Sequence, residues 1–138
     1  MHLYELEEAL GGFTTEEYWG CMEKHHIIFR SQGGCDFYYN IIELPTGIHK
    51  GRRGPHMCRT TDLLLKRDLR DTLFLEFGTG RKTAEEIVSL CRPMNRKSAQ
   101  KLHKRLLQAK SYAGKYEPED AIRAIMGGNL YWEGEGDV

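Results

Sequence analysis

Residues 25–44 constrain the fold most, because they contain two apolar, β-prone runs separated by turn residues. "HHIIF" opens the stretch, "RSQGG" follows, and "FYYNIIEL" is rich in aromatic and β-branched residues. Runs of this kind, bounded by Gly, Ser and Asn, typically pair as antiparallel strands. The sequence therefore predicts a β-hairpin with a wide loop over residues 25–44.

Helical patterns flank this predicted hairpin. "LYELEEAL" predicts a short helix that ends at Gly11-Gly12. On the other side, leucines recur at helical spacing between charged residues from Thr61 to Phe77, which predicts a helix of about four turns. Helices around a hairpin indicate an α+β fold.

The last third of the chain is predicted to be helical from its capping residues. "TAEE" at 83–86 fits a capping box, and Pro93 ends that short helix. A second helix is predicted at about 96–110, and a third opens at Pro118. The two helices around Pro93 are similar to a helix-turn-helix with the 96–110 helix as the DNA reader, and the alternative is a helical buttress packed on the rest of the chain.

Charge is unevenly distributed along a chain whose formal net charge is zero. Residues 1–24 and 116–138 each carry six acidic residues against one basic residue, whereas residues 25–115 hold eighteen Lys and Arg against eight Asp and Glu, a net charge of +10. A basic middle is what a nucleic acid would contact. The alternative is that these charges merely intermix on folding.

Composition narrows the cellular context and the cysteine chemistry. No apolar run approaches the roughly 18 residues of a membrane span, and the acidic N-terminus lacks the pattern of a secretion signal. We therefore expect a cytoplasmic protein with no membrane partner. The four cysteines form no C-x-x-C pair, which predicts four reduced thiols.

The histidines follow an order that points to a family. His25 and His26 open the hairpin, Asn40 lies on the returning strand, and His49 and His56 bracket "HKGRRGPH". With "HHIIFRSQGG" and "DFYYN", this order resembles the HNH endonucleases, in particular the small phage and prophage type, over about residues 21–70. Their ββα-metal motif is a β-hairpin followed by a helix that together hold one divalent cation.

The sequence patterns and the resemblance together predict an α+β fold in three segments. Residues 1–24 would be an acidic helical segment, residues 25–78 the HNH ββα-metal motif with its following helix, and residues 79–138 a helical appendage with an acidic tail. The resemblance also implies a metal-dependent DNA endonuclease that hydrolyses phosphodiester bonds.

Roles for the site residues come from the same resemblance. His25, His49 and His56 would bind the ion, His26 would be the general base, and Asn40 would tie the loop of the motif together and so orient the base. The geometry of a strand supports giving the two adjacent histidines different roles. Adjacent strand residues point to opposite faces of the sheet, so His25 and His26 cannot have the same function. An imidazole is suited to proton transfer at neutral pH.

Substrate and metal are less closely specified. Four basic residues are predicted to hold the DNA backbone, although such a run is also typical of a solvated loop: Arg30, Lys50, Arg52 and Arg53. Imidazole ligands suit several metals. We expect Mg²⁺ or Mn²⁺ to be the working ion, with Zn²⁺ or Ni²⁺ as possible occupants.

The cysteines depart from the family pattern, and one alternative function stays open. Many relatives carry cysteine pairs that form a bracing zinc ribbon, whereas the upstream region here has only Cys21, so aromatic packing is the predicted brace, from Trp19, Phe37, Tyr38 and Tyr39. The alternative function is an HNH-fold protein that binds DNA, or a phage or host protein, with little or no cleavage. An intact His26 favours catalysis, while the acidic ends favour a protein partner.

Overall fold

The computed structural model describes residues 1–134, which form a mixed α+β fold. The helices in this range are α1 (Leu3–Ala9), α2 (Thr46–His49), α3 (Arg59–Phe77), α4 (Ala84–Leu90), α5 (Arg96–Leu106) and α6 (Pro118–Ile125). The strands are β1 (Met22–His26), β2 (Ile41–Pro45), β3 (Lys82–Thr83) and β4 (Lys115–Tyr116). No helix within residues 1–134 combines the length and hydropathy needed to cross a bilayer. The α+β class is confirmed.

The predicted hairpin is present, with its strands shifted along the chain. β1 and β2 pair antiparallel, with His25 opposite Ile42 and His26 opposite Ile41. β1 ends at His26 rather than Phe29, because the next two backbone amides donate to Asn40 instead of to a strand. The Ile27 N–H donates to the Asn40 backbone carbonyl at 2.8 Å, and the Ile28 N–H donates to Asn40 Oδ1 at 2.7 Å. Short 3-10 turns, Arg30–Gln32 and Tyr38–Asn40, occupy the wide loop.

The long helix α3 confirms the leucine pattern. It buries Leu65, Leu69 and Leu73 in the core and ends at Gly78, whose φ of 72° lies in the left-handed region that favours glycine. It also buries Lys66, which is 1% exposed. Arg70 of the same helix is 4% exposed, so the helix brings two cationic side chains into the interior.

The predicted capping box at the start of α4 is confirmed. Glu86 N–H donates to Thr83 Oγ1 at 3.2 Å, and Thr83 N–H donates to the Glu86 carboxylate at 3.0 Å. α5 ends at Leu106, four residues before the predicted end, because its last turn tightens into i→i+3 hydrogen bonds such as Gln108 N–H to Arg105 O.

One hydrophobic cluster joins all three predicted segments. It contains Leu6 from α1, Ile28 after the hairpin strand, Leu69 from α3, Leu102 from α5 and Ile122 from α6. Residues 79–134 therefore pack on the rest of the chain as a buttress does. DNA reading by α5 stays a prediction, and the last four residues of the predicted acidic tail lie outside the described range.

Candidate metal centre

Three histidines meet at one point beside the hairpin. His25 Nδ1 lies 3.2 Å from His49 Nε2, and His56 Nε2 lies 3.0 Å from the same atom. One ring nitrogen from each residue lies within 4.8 Å of the other two. Two nitrogen ligands of one tetrahedral zinc ion, each at about 2.0–2.1 Å, lie about 3.3–3.4 Å apart. The group His25, His49 and His56 could therefore hold a metal ion with small adjustments.

Glycines allow the loop between His49 and His56 to fold back on itself. A Cβ atom at Gly54 would lie 2.0 Å from the Ile48 carbonyl oxygen, and one at Gly51 would lie 2.2 Å from the Gly47 carbonyl oxygen. No side chain fits at such distances. The spacing in "HKGRRGPH" thus serves close backbone packing that brings His56 onto His49 at the end of α2.

Glu23 orients His49 from outside the cluster. The His49 Nδ1 atom lies 2.7 Å from Glu23 Oε1, and the Thr46 hydroxyl donates to Glu23 Oε2 at 3.0 Å. The hydrogen bond from His49 holds the pKa of Glu23 below its ordinary value. A carboxylate on Nδ1 places the proton there and leaves the Nε2 lone pair for a metal. Glu23 was not predicted, although it lies two residues before His25, on the same face of β1.

Glu23→Gln is expected to weaken metal binding by about 10- to 100-fold, because loss of an outer partner loosens the ligand and lowers its basicity. Isothermal titration with Zn²⁺ measures this. Glu43→Gln is the matched control, since Glu43 is an exposed glutamate on β2 of the same hairpin. Equal affinity of the Glu23→Gln variant and wild type would contradict the orienting role of Glu23.

The surroundings of His25 and His56 favour the neutral form of these two imidazoles. His25 is 2% exposed, and burial first, then the neighbouring His49 and His56 rings, lower its pKa to about 3. Burial also lowers the pKa of His56. The Phe29 ring packs against both, and Lys66 Nζ lies 4.3 Å from the centre of that ring. Neutral imidazoles have a lone pair free to bind a metal.

This burial predicts that the metal-free protein loses stability in mild acid. His25 has a pKa of about 3 when folded and an ordinary value of 6.5 when unfolded, so the unfolded chain takes up the proton first as the pH falls. The stabilising contribution is complete above about pH 6.5 and declines down to about pH 3, by up to about 1.4 kcal/mol per pH unit. Urea unfolding at pH 7, 6 and 5 in EDTA tests this.

The control for that pH series is His25→Leu, which removes the titrating ring from the buried position. Its free energy of unfolding is expected to fall less steeply with pH than that of wild type. Identical slopes in the two proteins would contradict a buried neutral His25.

His26 points away from the cluster and bonds to Asp36. Its Nε2 atom makes a short hydrogen bond to the Asp36 carboxylate, and its side chain is 22% exposed. A groove of about 1290 Å³ opens beside the pair, lined by residues that include Lys24, Arg30 and Tyr38. His26 is therefore reachable by a solute, as a general base must be.

Asn40 ties the loop that follows β1. Besides its bonds from Ile27 and Ile28, its Nδ2 donates to the Ile28 carbonyl at 3.2 Å and the Cys35 carbonyl at 2.9 Å, and the residue is fully buried. All of its side-chain hydrogen-bonding atoms are used. It holds the two sides of the wide loop at a fixed separation.

The four residues predicted to contact DNA differ in their surroundings. Arg30 and Lys50 have side chains 72% and 70% exposed, and Arg52 is exposed. Arg53 instead binds the Glu17 carboxylate at 2.7 and 2.9 Å and donates to the Leu10 and Gly12 carbonyls. Its guanidinium also lies 5.0 Å from the centre of the Phe13 ring.

The contacts of Arg53 with residues 10–17, rather than aromatic packing alone, brace the loop that carries His49 and His56. Phe37 is buried, as a bracing residue must be, but Trp19 and Tyr38 are 69% and 59% exposed. The packing prediction was therefore wrong for Trp19 and Tyr38.

All four cysteines are free, as predicted. Among residues 1–134, the three histidines form the one group of three or more side chains able to hold a metal.

Comparisons with known proteins add no relative. A scan against protein-family models, a search of curated proteins and a search of solved structures each found no match. The likeness to HNH endonucleases therefore rests on the residues themselves and stays a prediction.

Proposed function

We propose that this chain is a metal-dependent DNA endonuclease of the HNH type. The observation that carries the proposal is the convergence of His25, His49 and His56 from three separate parts of the chain on one point, with His26 next to His25 on the same strand. A metal ion held by the cluster and the proposed base would then belong to neighbouring residues of one strand.

In this proposal the three clustered histidines hold one divalent ion. Bound there, the ion would neutralise charge on the scissile phosphate and stabilise the leaving 3′-oxygen. His26 takes a proton from the attacking water, and Asn40 fixes the loop that faces it. We propose Mg²⁺ or Mn²⁺ as the working ion, while Zn²⁺ and Ni²⁺ suit an all-imidazole site and compete for it.

Exposed basic residues near the site would position the DNA backbone. Arg30 and Lys50 have exposed side chains that also lie within ion-pair distance of Asp36 (3.4 Å) and Glu23 (3.9 Å), and Arg52 is exposed. All three are available to phosphate oxygens. Arg53 is committed to Glu17 and the Leu10 and Gly12 carbonyls, so its contribution is to hold the loop that presents Arg52. We therefore assign DNA contact to the first three and support to Arg53.

Nicking of supercoiled plasmid tests the proposal. Purified protein is incubated with plasmid and Mg²⁺, Mn²⁺, Ni²⁺, Zn²⁺ or EDTA. We expect open-circular and linear products with Mg²⁺ or Mn²⁺ and none with EDTA. Intact plasmid under every metal condition would reject the nuclease.

A second function is favoured by the groove beside His26. Carboxylates from α1 and β2 line it, including Glu5, Glu7 and Glu43, and exposed tyrosines lie among them. Acidic and aromatic surfaces suit a basic protein segment better than a nucleic acid. The alternative is therefore a protein that binds a phage or host partner and cleaves little or no DNA.

Salt dependence separates the two functions. Phosphate contacts predict that the logarithm of duplex affinity falls linearly with the logarithm of salt, with a slope of about −0.9 per phosphate neutralised. Replacing Lys50 and Arg52 together by Ala should reduce the slope by about two, equally for unrelated sequences. Fluorescence anisotropy on three duplexes measures it, and weak binding at every salt concentration favours the protein-partner function.

A further inference from the structure

The Asp36 carboxylate is the meeting point of hydrogen bonds from distant parts of the chain. One oxygen accepts from His26 Nε2. The other accepts from Asn95 Nδ2 at 2.9 Å and lies 3.4 Å from an Arg30 guanidinium nitrogen. The Asp36 backbone N–H donates to Ser98 Oγ at 2.8 Å. Both the carboxylate and the backbone of Asp36 are thus fixed in place.

Two of these partners come from the first turn of α5. Asn95 is the N-cap residue of that helix, and its Oδ1 accepts from Ser98 N–H at 2.7 Å while its Nδ2 reaches Asp36. An isolated β-bridge between Phe37 and Met94 holds the two chain segments side by side. The start of α5 is therefore fastened to the loop that contacts His26.

We infer that Asp36 is a positioning residue for the general base, and that the start of α5 holds it in position. This rests on the proposed function of His26. A carboxylate at Nε2 keeps the neutral ring in the tautomer whose proton is on Nε2. Nδ1 is then the nitrogen that accepts the proton from the attacking water, while Nε2 keeps its own proton and the resulting imidazolium is stabilised by Asp36.

The exposure and charge of Asp36 favour a positioning role for it over a merely structural one. Asp36 is partly exposed and lines the groove next to His26, so its carboxylate stands at a surface that a substrate can reach. Its pKa lies below the ordinary value, chiefly because His26 donates to it, with Arg30 and Asn95 also contributing. An ionised carboxylate is what fixing the tautomer requires. The C-terminal segment then supports the base, a role distinct from reading DNA.

The first test uses Asp36→Asn, which keeps the side-chain size but removes the charge. With Mg²⁺ or Mn²⁺ present, kcat for plasmid nicking is expected to fall by about 10²- to 10⁴-fold with KM and metal affinity unchanged. Asp36→Glu, which restores a carboxylate, should recover part of the rate. An Asp36→Asn variant that cleaves at the wild-type rate would overturn the inference.

The second test separates holding Asp36 from capping α5. Asn95→Ser keeps a good N-cap residue but cannot reach Asp36. The melting temperature should stay close to that of wild type while kcat falls by about 10-fold, the lower end of the range for loss of an outer partner. Gln100→Ala, an exposed change on the same helix, is the control and should keep wild-type kcat. Unchanged kcat in Asn95→Ser would remove α5 from the account.

A third measurement does not depend on cleavage. Long-range ¹H–¹⁵N NMR spectra of the full chain, with Mg²⁺ and without, distinguish a protonated ring nitrogen from an unprotonated one. We expect the neutral His26 ring to carry its proton on Nε2, and Asp36→Asn to shift this tautomer. A proton on Nδ1 in wild type would overturn the inference even if the protein is a nuclease. Absence of cleavage alongside the expected tautomer would reject the proposed function and leave the Asp36–His26 assignment supported.

Discussion

A His26→Ala variant is expected to bind divalent metal as tightly as wild type and to cleave DNA about 10²- to 10⁴-fold more slowly, the range that a positioned general base contributes. The two effects separate because His26 contacts Asp36 and the groove, whereas the group that could hold a metal is His25, His49 and His56. Plasmid nicking under single-turnover conditions gives the rate, and isothermal titration gives the affinity.

The matched control for His26→Ala is His103→Ala, which removes an exposed histidine of α5 that lies outside both groups. It should cleave at the wild-type rate. Equal nicking by His26→Ala and wild type would show that His26 is not the base, and the assignment would fail even if the metal site proved correct.

Loss of the metal ion is the expected result of His56→Ala. His56 supplies one of three converging imidazoles and is the most exposed of them, so its removal should affect the ion more than the fold. We expect affinity to fall by more than roughly 100-fold, beyond the range caused by loss of an outer partner. His49→Ala should do the same, although it also frees Glu23.

Elemental analysis of the purified variants after dialysis against Zn²⁺ measures this loss. The His103→Ala protein again provides the control, with one ion expected per chain. Full occupancy in both His49→Ala and His56→Ala would show that the ligand set is wrong, and with it the proposed nuclease centre.

The ligand set was accessible from sequence because its signals are local. His25 and His26 lie at the start of a predicted hairpin, and the order of His25, His26, Asn40, His49 and His56 carried the resemblance from which the ligands were inferred. The register of the hairpin was less accessible. β1 stops at His26 because the side chain of Asn40 replaces a strand partner, and no propensity rule anticipates a side chain that competes with the ladder.

The supporting residues were missed because their partners are distant in sequence. Asp36 meets Asn95 across 59 positions, and Arg53 meets Glu17 across 36. Among twenty acidic residues nothing in the sequence selects Asp36 as the partner of His26. Asn95 was not singled out, because only the helix that follows it was predicted. Arg53 was grouped with Arg52, because the sequence alone does not distinguish two adjacent arginines.

The most direct test of the account links metal occupancy to cleavage in the same protein. Manganese is titrated into wild-type protein and plasmid, the free ion is followed by electron paramagnetic resonance, and the nicking rate is measured at each point. The account predicts that the rate rises in proportion to occupancy of one site per chain, and that both curves shift together in Glu23→Gln. Nicking that persists in EDTA, or a rate that is unrelated to occupancy of that site, would contradict it.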